Sequence, residues 1–298
     1  MITLADAMDA GPVVLDGGLA TQLEAQGHNL DSELWSARLL LDDPEAIVQA
    51  HLTYFEAGAQ VATTASYQAS IDGFARAGFP HAEAQQLIKR SVRLAQQARA
   101  SCEDDHDRWI AGSVGPYGAA LADGSEYRGD YHLSVDQLRA WHRPRIELLV
   151  EAGVDVLALE TIPCLTEVEA LLAEIDGSGQ ACWLSLTCAG DRTRAGEPAN
   201  EAFALARDVD EIVAVGVNCI DPADAYALLR SASLAAGKPT VIYPNSGERW
   251  DAATKSWVGP ATFTAGEVQN WIGGGARLVG GCCRVGPTEI KTIRDLAV

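Results

Sequence analysis

Positive charge is scarce in this sequence. The 298 residues include 22 lysines and arginines against 41 aspartates and glutamates, which gives a formal charge of -19 and an isoelectric point near 4.6. Nucleic acid and anionic membrane surfaces select basic proteins, so we expect neither as a partner. Solubility is a sufficient reason for the acidic excess, and attraction of a cationic small molecule into an acidic cleft is a second one.

Long apolar runs and a basic leader are also missing. No run reaches the roughly 18 residues that span a bilayer, and residues 1–10 carry two aspartates but no lysine or arginine. The seven cysteines, an odd number without regular spacing, fit a reducing compartment better than a disulfide-stapled secreted fold. We therefore expect a cytoplasmic protein whose thiols are free to act as ligands.

Two adjacent cysteines form the most informative local feature. Gly280-Gly281-Cys282-Cys283 follows an apolar run, and Cys219 follows another. A vicinal disulfide is disfavoured, because neighbouring Cα atoms lie about 3.8 Å apart, below the usual disulfide range. Two ordinary buried thiols are the simpler alternative, since free cysteine packs as a small hydrophobe. Three thiolates around one zinc ion are the other interpretation, and they leave the fourth tetrahedral position open, as in catalytic sites.

Short β-branched runs recur at eight places in the chain. They cover residues 13–15, 60–63, 109–111, 155–159, 183–186, 212–217, 240–243 and 277–279. Helix-length segments lie between them, among them residues 43–57, 82–100, 134–152, 166–174, 221–235 and 264–272. This alternation predicts a parallel α/β sheet, and eight units predict a closed (β/α)8 TIM-type barrel, with an open doubly wound sheet as the alternative. Without a linker or low-complexity tract, we expect a single domain over residues 1–298.

Polar residues follow the predicted strands. They are Asp16, Thr63, Thr64, Ser113, Glu160, Thr187, Cys188, Asn218, Cys219, Asn245, Cys282 and Cys283. A TIM barrel brings such positions together at its C-terminal rim, where the active site lies. Cys219 and the cysteine pair can therefore share one ion. All six histidines lie between His28 and His142 and none follows a predicted strand, so a metal here would be bound by sulfur.

The strand-end residues fit a thiol-bearing amino acid. A metal held by three thiolates activates water poorly, but it can hold a substrate thiol in its nucleophilic thiolate form. Asp16 and Glu160 suit an ammonium group, although helix capping is the simpler role for each. Backbone N–H groups of Gly17, Gly18 or Ser113 suit a carboxylate, and the glycines leave room for the ligand.

The long segment from Gly112 to Ser134 is predicted to be a functional loop.

Seven short blocks occur in a fixed order along the chain. They are residues 15–18, 65–68, 112–118, 160–161, 216–219, 243–247 and 280–284, reading LDGG, ASYQ, GSVGPYG, ET, GVNC, YPNSG and GGCCR. Over most of the chain, these blocks resemble the zinc-dependent homocysteine S-methyltransferases. Residues 123–131 are most similar to the stand-alone enzymes that use S-methylmethionine or S-adenosylmethionine as methyl donor.

The resemblance implies an enzyme that transfers a methyl group from a sulfonium donor to the thiolate of L-homocysteine, in the biosynthesis of methionine. It implies that Cys219, Cys282 and Cys283 are the catalytic residues and the ligands of Zn²⁺. It also implies that Asp16 and Glu160 bind the amino group of homocysteine. Asn218 and Asn245 are expected either to hydrogen-bond beside this site or to be ordinary turn formers.

Aromatic side chains are candidates for the donor site, because aromatic faces attract a sulfonium cation. Trp35 is the first candidate, and the others are Tyr67, Tyr117, Tyr127 and Tyr131. Each of them is equally explained as a packed loop aromatic.

Two alternatives to this function stay open at this point. The same thiolate cluster could act on another thiol or selenol acceptor. A zinc-storage or redox-sensing barrel that binds no substrate is the other alternative, but it has no use for Asp16 or Glu160. Nothing in the spacing separates S-methylmethionine from S-adenosylmethionine, because both present the same charged sulfur.

Overall fold

One sheet of eight parallel strands forms the centre of the protein. A computed structural model describes residues 2–30, 38–251 and 256–297. We number the strands β1 (Val13–Val14), β2 (Val61–Thr63), β3 (Trp109–Val114), β4 (Val156–Ile162), β5 (Cys182–Leu186), β6 (Ile212–Asn218), β7 (Thr240–Tyr243) and β8 (Ala276–Val279). From β2 to β8 each strand pairs with the next one in the chain, and β8 pairs with β1.

Hydrogen bonds between β1 and β2 close the sheet into a barrel. The Gln60 N–H donates to the carbonyl of Val14 over 2.7 Å, and the Asp16 N–H donates to that of Val61 over 3.1 Å. Leu15 and Val61 form a parallel bridge between these bonds. The (β/α)8 barrel predicted from the sequence is therefore confirmed, and the open doubly wound sheet is wrong.

Helices surround this barrel. In the described residues they are α1 (Leu4–Ala10), α2 (Leu19–Ala25), α3 (Leu39–Asp42), α4 (Pro44–Ala57), α5 (Ile71–Arg76), α6 (His81–Ala100), α7 (Val135–Glu151), α8 (Leu165–Ile175), α9 (Ala199–Leu205), α10 (Pro222–Ala236), α11 (Ala265–Gly273) and α12 (Pro287–Ala297). All six predicted helical segments are present. Capping explains the sharp start of α10: Asp221 accepts a hydrogen bond from the Ala223 N–H, and proline follows at position 222.

Side chains along each strand point alternately into the barrel and toward the helices, and so form two apolar layers. In β4, Val156 and Ala158 belong to the cluster inside the barrel, whereas Leu157 and Leu159 belong to the larger cluster between the barrel and the helices. Successive side chains of a strand point to opposite faces, so one run of apolar residues supplies both layers. This arrangement explains why the strands are apolar throughout.

The N-terminal end of the barrel is filled by apolar side chains. Leu4 and Met8 of α1 join the inner cluster together with Trp109 and Trp183, and the Trp109 indole N–H donates to the Ile2 carbonyl over 3.1 Å. This end is therefore closed, and the cleft lies at the other end.

The segment between β3 and α7 is shorter and more ordered than its sequence indicates. The predicted loop begins at Gly112, but β3 continues to Val114. Two short 3₁₀ helices, Tyr117–Leu121 and Ser125–Tyr127, then fold the segment back over the rim of the barrel. The predicted start of the loop is wrong, because Gly112 lies inside β3 but was interpreted as the end of the strand. Gly112 packs against Leu157 and Val154, where a Cβ would come within 3.0 Å of both side chains.

Two loops each contain a small antiparallel sheet of two strands. One pairs Cys188–Ala189 with Arg192–Thr193 after β5, and the other pairs Arg249–Asp251 with Ser256–Val258 after β7. Among the helices of the described ranges, none is both long enough and apolar enough to cross a membrane.

Candidate metal and substrate site

A cleft at the C-terminal rim brings together nearly all of the predicted site residues. The predicted residues that line it are Asp16, Gly17, Gly18, Ser113, Glu160, Asn218, Cys219, Cys282 and Cys283. Thr63, Thr161, Tyr67, Tyr127 and Tyr243 also line it. Asn245 stands behind this lining and contacts the backbone of Cys283. Trp35 lies outside the described residues.

Three cysteine sulfurs converge in this cleft. The Sγ atoms of Cys219, Cys282 and Cys283 all lie within 4.8 Å of one another, and those of Cys219 and Cys283 are 3.8 Å apart. Cys219 is buried and the adjacent pair is partly buried. These thiols are close enough to bind one ion, and all seven cysteines of the chain are free, so no vicinal disulfide is present.

Backbone contacts hold the cysteines in place. Cys219 follows β6 in a left-handed conformation with φ of 53°, which is unusual for a residue other than glycine. Its N–H donates to the carbonyl of Tyr243 over 3.2 Å, and the Cys282 N–H donates to that of Pro244 over 2.8 Å. The Cys283 N–H donates to Asn245 Oδ1 over 3.1 Å. Asn245 therefore orients a cysteine from behind.

Gly17 and Gly18 permit a close approach between two loops. A Cβ on Gly17 would lie 2.4 Å from the carbonyl oxygen of Val285, and one on Gly18 would lie 2.6 Å from that of Cys282. The Gly18 N–H donates to the Val285 carbonyl over 3.0 Å. It is therefore already used, and the expectation that it takes a ligand carboxylate is wrong. The glycines are needed because the cysteine-bearing loop packs directly on them.

The two predicted carboxylates are buried and fixed by hydrogen bonds. Asp16 is 5% exposed and accepts hydrogen bonds from the Thr63 N–H over 2.7 Å and from its hydroxyl over 2.9 Å. Glu160 is 7% exposed and accepts hydrogen bonds from the hydroxyls of Ser113 and Tyr243, the latter over 3.1 Å. Neither carboxylate caps a helix, because Gly18 and Cys164 occupy the N-caps of the helices that follow.

Ser113 contributes its side chain to this site. Its backbone N–H donates to Thr64 Oγ1 over 3.0 Å and so is not available to a ligand carboxylate, contrary to the sequence-based expectation. The hydroxyl instead donates to Glu160.

The protonation of both carboxylates depends on their burial and on the charges around them. Burial raises the pKa of Asp16 to about 8 and that of Glu160 to about 7. Within the described ranges, neither carboxylate forms an ion pair with a lysine, arginine or histidine. Buried carboxylates are stable as anions when a positive charge reaches them. A ligand ammonium group would supply that charge.

A directional chain of hydrogen bonds ends at Glu160. The Trp183 indole N–H, which can only donate, is 2.9 Å from the Tyr243 hydroxyl oxygen. The Ser185 hydroxyl lies 2.6 Å from the same oxygen. With these two groups donating, the single proton of Tyr243 is directed to Glu160. The chain therefore favours the ionised form of this glutamate and fixes its orientation.

Hydrogen bonds also differentiate the three thiols. Contacts from the thiols of Cys282 and Cys283, and from the Tyr127 hydroxyl 3.2 Å away, lower the pKa of Cys219. Contacts with Cys219 and Cys283 raise the pKa of Cys282, and that of Cys283 is raised mainly by its contact with Cys219. These opposite shifts favour Cys219 as the first of the three thiols to lose its proton. A cation in the cluster would replace their protons.

The candidate aromatic residues fall into two groups. Tyr67 and Tyr127 line the cleft. Tyr117 and Tyr131 instead pack together with ring centroids 5.3 Å apart, and Tyr117 also contacts Trp141. Tyr117 and Tyr131 are thus packed loop aromatics, the alternative that the sequence left open.

Asn218 supports the backbone of the rim. Its side-chain oxygen accepts from the Thr161 N–H and its side-chain nitrogen donates to the Thr161 hydroxyl, both over 2.7 Å. Thr161 has a left-handed φ of 61°, which is strained for a β-branched residue. The two hydrogen bonds hold this conformation directly after Glu160.

A buried polar network behind the cleft was missed in the sequence. Arg145 donates to the carbonyls of Gly115 and Tyr67 and contacts His142, which lies 2.8 Å from Glu167. It ties the loop after β3 to the one after β2. Arg145 and His142 lie within an amphipathic helix and carry no local motif, so only the fold reveals their role.

Comparison with known proteins agrees with this geometry. Residues 13–297 match the family model described as homocysteine S-methyltransferase. The chain is 44% identical to the homocysteine S-methyltransferase of Escherichia coli, with 95% of this chain and 94% of that protein covered. It is 40% identical to the selenocysteine Se-methyltransferase of Brassica oleracea var. italica, with 97% and 89% covered.

A solved structure gives the same result. The metallated form of the homocysteine methyltransferase MmuM from Escherichia coli superposes with a TM-score of 0.86 at 42% identity, and 96% of each chain is covered. This chain therefore belongs to the homocysteine S-methyltransferase family and is an enzyme of the methyltransferase class.

Proposed function

We propose that this protein transfers a methyl group from a sulfonium donor to the sulfur of L-homocysteine and releases methionine. One juxtaposition carries the proposal: three cysteine sulfurs lie within 4.8 Å of one another and share a cleft with two buried carboxylates. These carboxylates, Asp16 and Glu160, form no ion pair with a cationic side chain among the residues that the structure describes. Homocysteine presents a thiol and an ammonium group, one for each half of the cleft. We propose one homocysteine-binding barrel domain over residues 1–298.

The sulfur ligands fit a zinc ion. Cys219, Cys282 and Cys283 would hold it, because thiolates prefer soft and borderline metals and three of them leave one tetrahedral position for a substrate. Bound there, Zn²⁺ would supply the positive charge that keeps the homocysteine sulfur deprotonated near neutral pH. Histidine is absent from the cluster, which agrees with a site for a thiol substrate rather than for an activated water.

The two carboxylates orient the acceptor. In their ionised forms Asp16 and Glu160 bind the homocysteine ammonium group. Thr63 holds the carboxylate of Asp16 in place, and Tyr243 holds that of Glu160. The amino acid is thereby fixed at one end, and its sulfur extends toward the cysteines. Because the acceptor sulfur is held in position, it does not have to find the donor methyl group by free diffusion. This positioning accounts for a large part of the rate enhancement.

The chemical step is a direct displacement. The electron pair of the homocysteine sulfur forms a bond to the donor methyl carbon as the bond between that carbon and the sulfonium sulfur breaks. The leaving sulfur keeps the electron pair of the bond that breaks and becomes neutral. Because the acceptor already lacks its proton, no general base is required in this step.

A methyl-transfer assay tests the proposal. Methionine formation is measured with homocysteine and either S-methylmethionine or S-adenosylmethionine, before and after removal of metal by a chelator. We expect turnover with at least one donor, loss of turnover after chelation, and recovery on addition of Zn²⁺. Undiminished turnover in metal-stripped protein, or no methionine from either donor, would contradict the proposal.

A selenol acceptor is the second candidate. The 40% identity to a selenocysteine Se-methyltransferase supports it, because a selenol offers the same type of nucleophile to the cluster. Competition between homocysteine and selenocysteine for a limiting donor separates the two, and we expect homocysteine to be preferred.

A metal-storage or redox-sensing role does not explain why Asp16 and Glu160 are present in the cleft. Calorimetric titration with homocysteine excludes such a role if Glu160→Gln weakens binding.

The cellular environment stays a prediction from the sequence. A reducing compartment such as the cytoplasm keeps seven free cysteines unpaired. The acidic composition likewise keeps the prediction that nucleic acid is not a partner.

A further inference from the structure

We infer that Arg194 binds the α-carboxylate of the sulfonium donor and thereby directs the donor's charged sulfur toward the cysteine cluster. The inference rests on the proposed function, which leaves open how the donor is recognised. It concerns donors that are α-amino acids, such as S-methylmethionine and S-adenosylmethionine.

Arg194 is anchored to the cluster. It follows the short hairpin after β5, in which Cys188–Ala189 pairs with Arg192–Thr193. Its Nε donates to the Thr187 hydroxyl oxygen over 3.2 Å, and this hydroxyl donates to the Cys219 carbonyl over 3.3 Å. Two successive hydrogen bonds therefore connect the guanidinium group to the backbone of a cysteine in the cluster.

One aromatic residue, Tyr127, contacts both Arg194 and the cluster. The guanidinium carbon lies 5.5 Å from the centroid of the Tyr127 ring, and the hydroxyl of that ring is 3.2 Å from Cys219 Sγ. One tyrosine ring thus separates the cation from the sulfur cluster. In S-methylmethionine three carbon atoms separate the sulfonium sulfur from the carboxylate, an extended reach of about 5–6 Å at ordinary bond lengths.

The charge of Arg194 differs in its surroundings from that of other arginines near the cleft. Two other arginines of these loops are paired: Arg284 lies 3.2 Å from Glu248, and Arg128 lies 3.7 Å from Asp123. No carboxylate in the described part of the chain forms an ion pair with Arg194. An unpaired, half-buried guanidinium group beside a cleft is well suited to a ligand carboxylate, which it can bind through two parallel hydrogen bonds.

Electrostatics select the orientation of the donor. A guanidinium group attracts a carboxylate but repels the sulfonium of the same molecule, and both energies weaken as the distance grows. The favourable arrangement places the carboxylate against Arg194 and the sulfonium as far away as the donor allows. In the cleft, that direction leads along Tyr127 toward the cysteines.

This assignment also changes the role of Tyr127. One face of its ring is covered by Arg194, so this face is not free to receive the sulfonium cation. The tyrosine instead positions the arginine, through a cation–π contact at its face and a hydrogen bond at its hydroxyl.

Kinetics with paired donors and paired variants test the inference. Initial rates are measured at saturating homocysteine with S-methylmethionine and with its carboxamide, in which a neutral amide replaces the carboxylate. For Arg194→Gln we expect the KM for S-methylmethionine to rise about 30-fold, the effect of losing one charge-assisted pair. The KM for the carboxamide and the KM for homocysteine should change less than twofold.

Matched variants separate this role from a general effect of charge or folding. Arg192→Gln removes an exposed arginine of the same hairpin, whose side chain donates a hydrogen bond to the Gly196 carbonyl, and it should leave both donor constants unchanged. Arg194→Lys should recover part of the affinity for S-methylmethionine. The wild-type protein provides a test without any variant, since its KM for the carboxamide should exceed that for S-methylmethionine by the same factor.

Three results would overturn the inference. They are an equal loss with both donors in Arg194→Gln, an increased KM for homocysteine with unchanged donor constants, and equal use of both donors by the wild type. S-adenosylmethionine carries the same carboxylate and should show the same dependence on Arg194 wherever it is used. If wild-type protein forms no methionine from any sulfonium donor, the proposed function fails first, and this is seen before any variant is tested.

Discussion

The two ends of the barrel consist of the same eight strands but have opposite properties. At the N-terminal end, Leu4 and Met8 pack with Trp109 in an apolar cluster that excludes solvent. At the C-terminal end, the strands lead into buried carboxylates and thiols, and the carboxylates form no ion pair with any described residue. Burial of apolar surface stabilises the fold, whereas burial of unpaired carboxylates opposes it. Stability and chemistry are therefore separated along the barrel axis, and substitutions at the two ends should have different effects.

The largest effect on activity is expected from the cysteines, because the chain offers a matched pair for this comparison. Cys282 belongs to the cluster, whereas Cys182 is a buried thiol at the start of β5. Cys282→Ala removes one of three ligands and should lower metal content below one tenth and methyl transfer more than about 1,000-fold. Cys182→Ala should keep both the metal and the activity. Elemental analysis and initial rates measure the two effects, and a fully metallated, active Cys282→Ala protein would contradict the assignment.

Asp16→Asn should separate function from stability. We expect kcat/KM for homocysteine to fall about 100-fold, because the substrate ammonium loses a buried anionic partner. The folded-state pKa of about 8 exceeds the ordinary value, so ionisation of Asp16 progressively destabilises the substrate-free fold as pH rises from about 4 to 8. The asparagine variant lacks this term and should lose less stability between pH 5 and pH 9. Denaturant titrations at both pH values measure this, and equal losses in the two proteins would rule it out.

The same two pKa values predict how ligand affinity depends on pH. Asp16 and Glu160 become charged between about pH 6 and pH 9, so binding of an α-amino acid should tighten roughly tenfold from pH 6 to pH 8. Methionine is the suitable probe, because it has the same ammonium group but no titrating thiol. Calorimetric titration of wild type and Glu160→Gln with methionine measures this dependence. The variant should keep only the part of the pH dependence that arises from ionisation of Asp16. Affinity independent of pH in the wild type would exclude the carboxylates as the ammonium site.

The smallest effect on activity is expected at the closed end. Met8 is 2% exposed and lies in the inner cluster, so Met8→Ala should lower the free energy of unfolding by about 2–5 kcal/mol. The KM for homocysteine should stay within twofold of wild type, because α1 does not reach the cleft. Unfolding curves and steady-state kinetics on the same preparation test both statements. A large rise in KM at full folding would show that the two ends are coupled.

The sequence predicted the barrel well, for a physical reason. Strands buried on both faces are continuous β-branched runs, and all eight stand out between helix-length segments. Helices of six or seven residues, such as α1, α5 and α9, were missed because one or two turns show no clear periodicity.

Residues at the rim were predicted as a group, but their individual contacts were not. Parallel strands end at one edge, which is why Asp16, Glu160 and Cys219 could be grouped without any local motif. The partners of these groups depend on contacts between distant segments: Tyr243 is 83 positions from Glu160 along the chain. The backbone N–H groups of Gly18 and Ser113 were misassigned because their acceptors lie on other loops.

Tyr243 lies at the boundary between the two ends. Its ring belongs to the apolar cluster and contacts the fully buried indole of Trp183, while its hydroxyl reaches Glu160 in the cleft. An indole hydrogen-bonded to this hydroxyl experiences the electric field of the carboxylate one step away. The enzyme consequently contains its own optical probe: the emission of Trp183, obtained as the difference between wild type and Trp183→Phe, should shift when an ammonium group neutralises Glu160, and it would report site occupancy without any label.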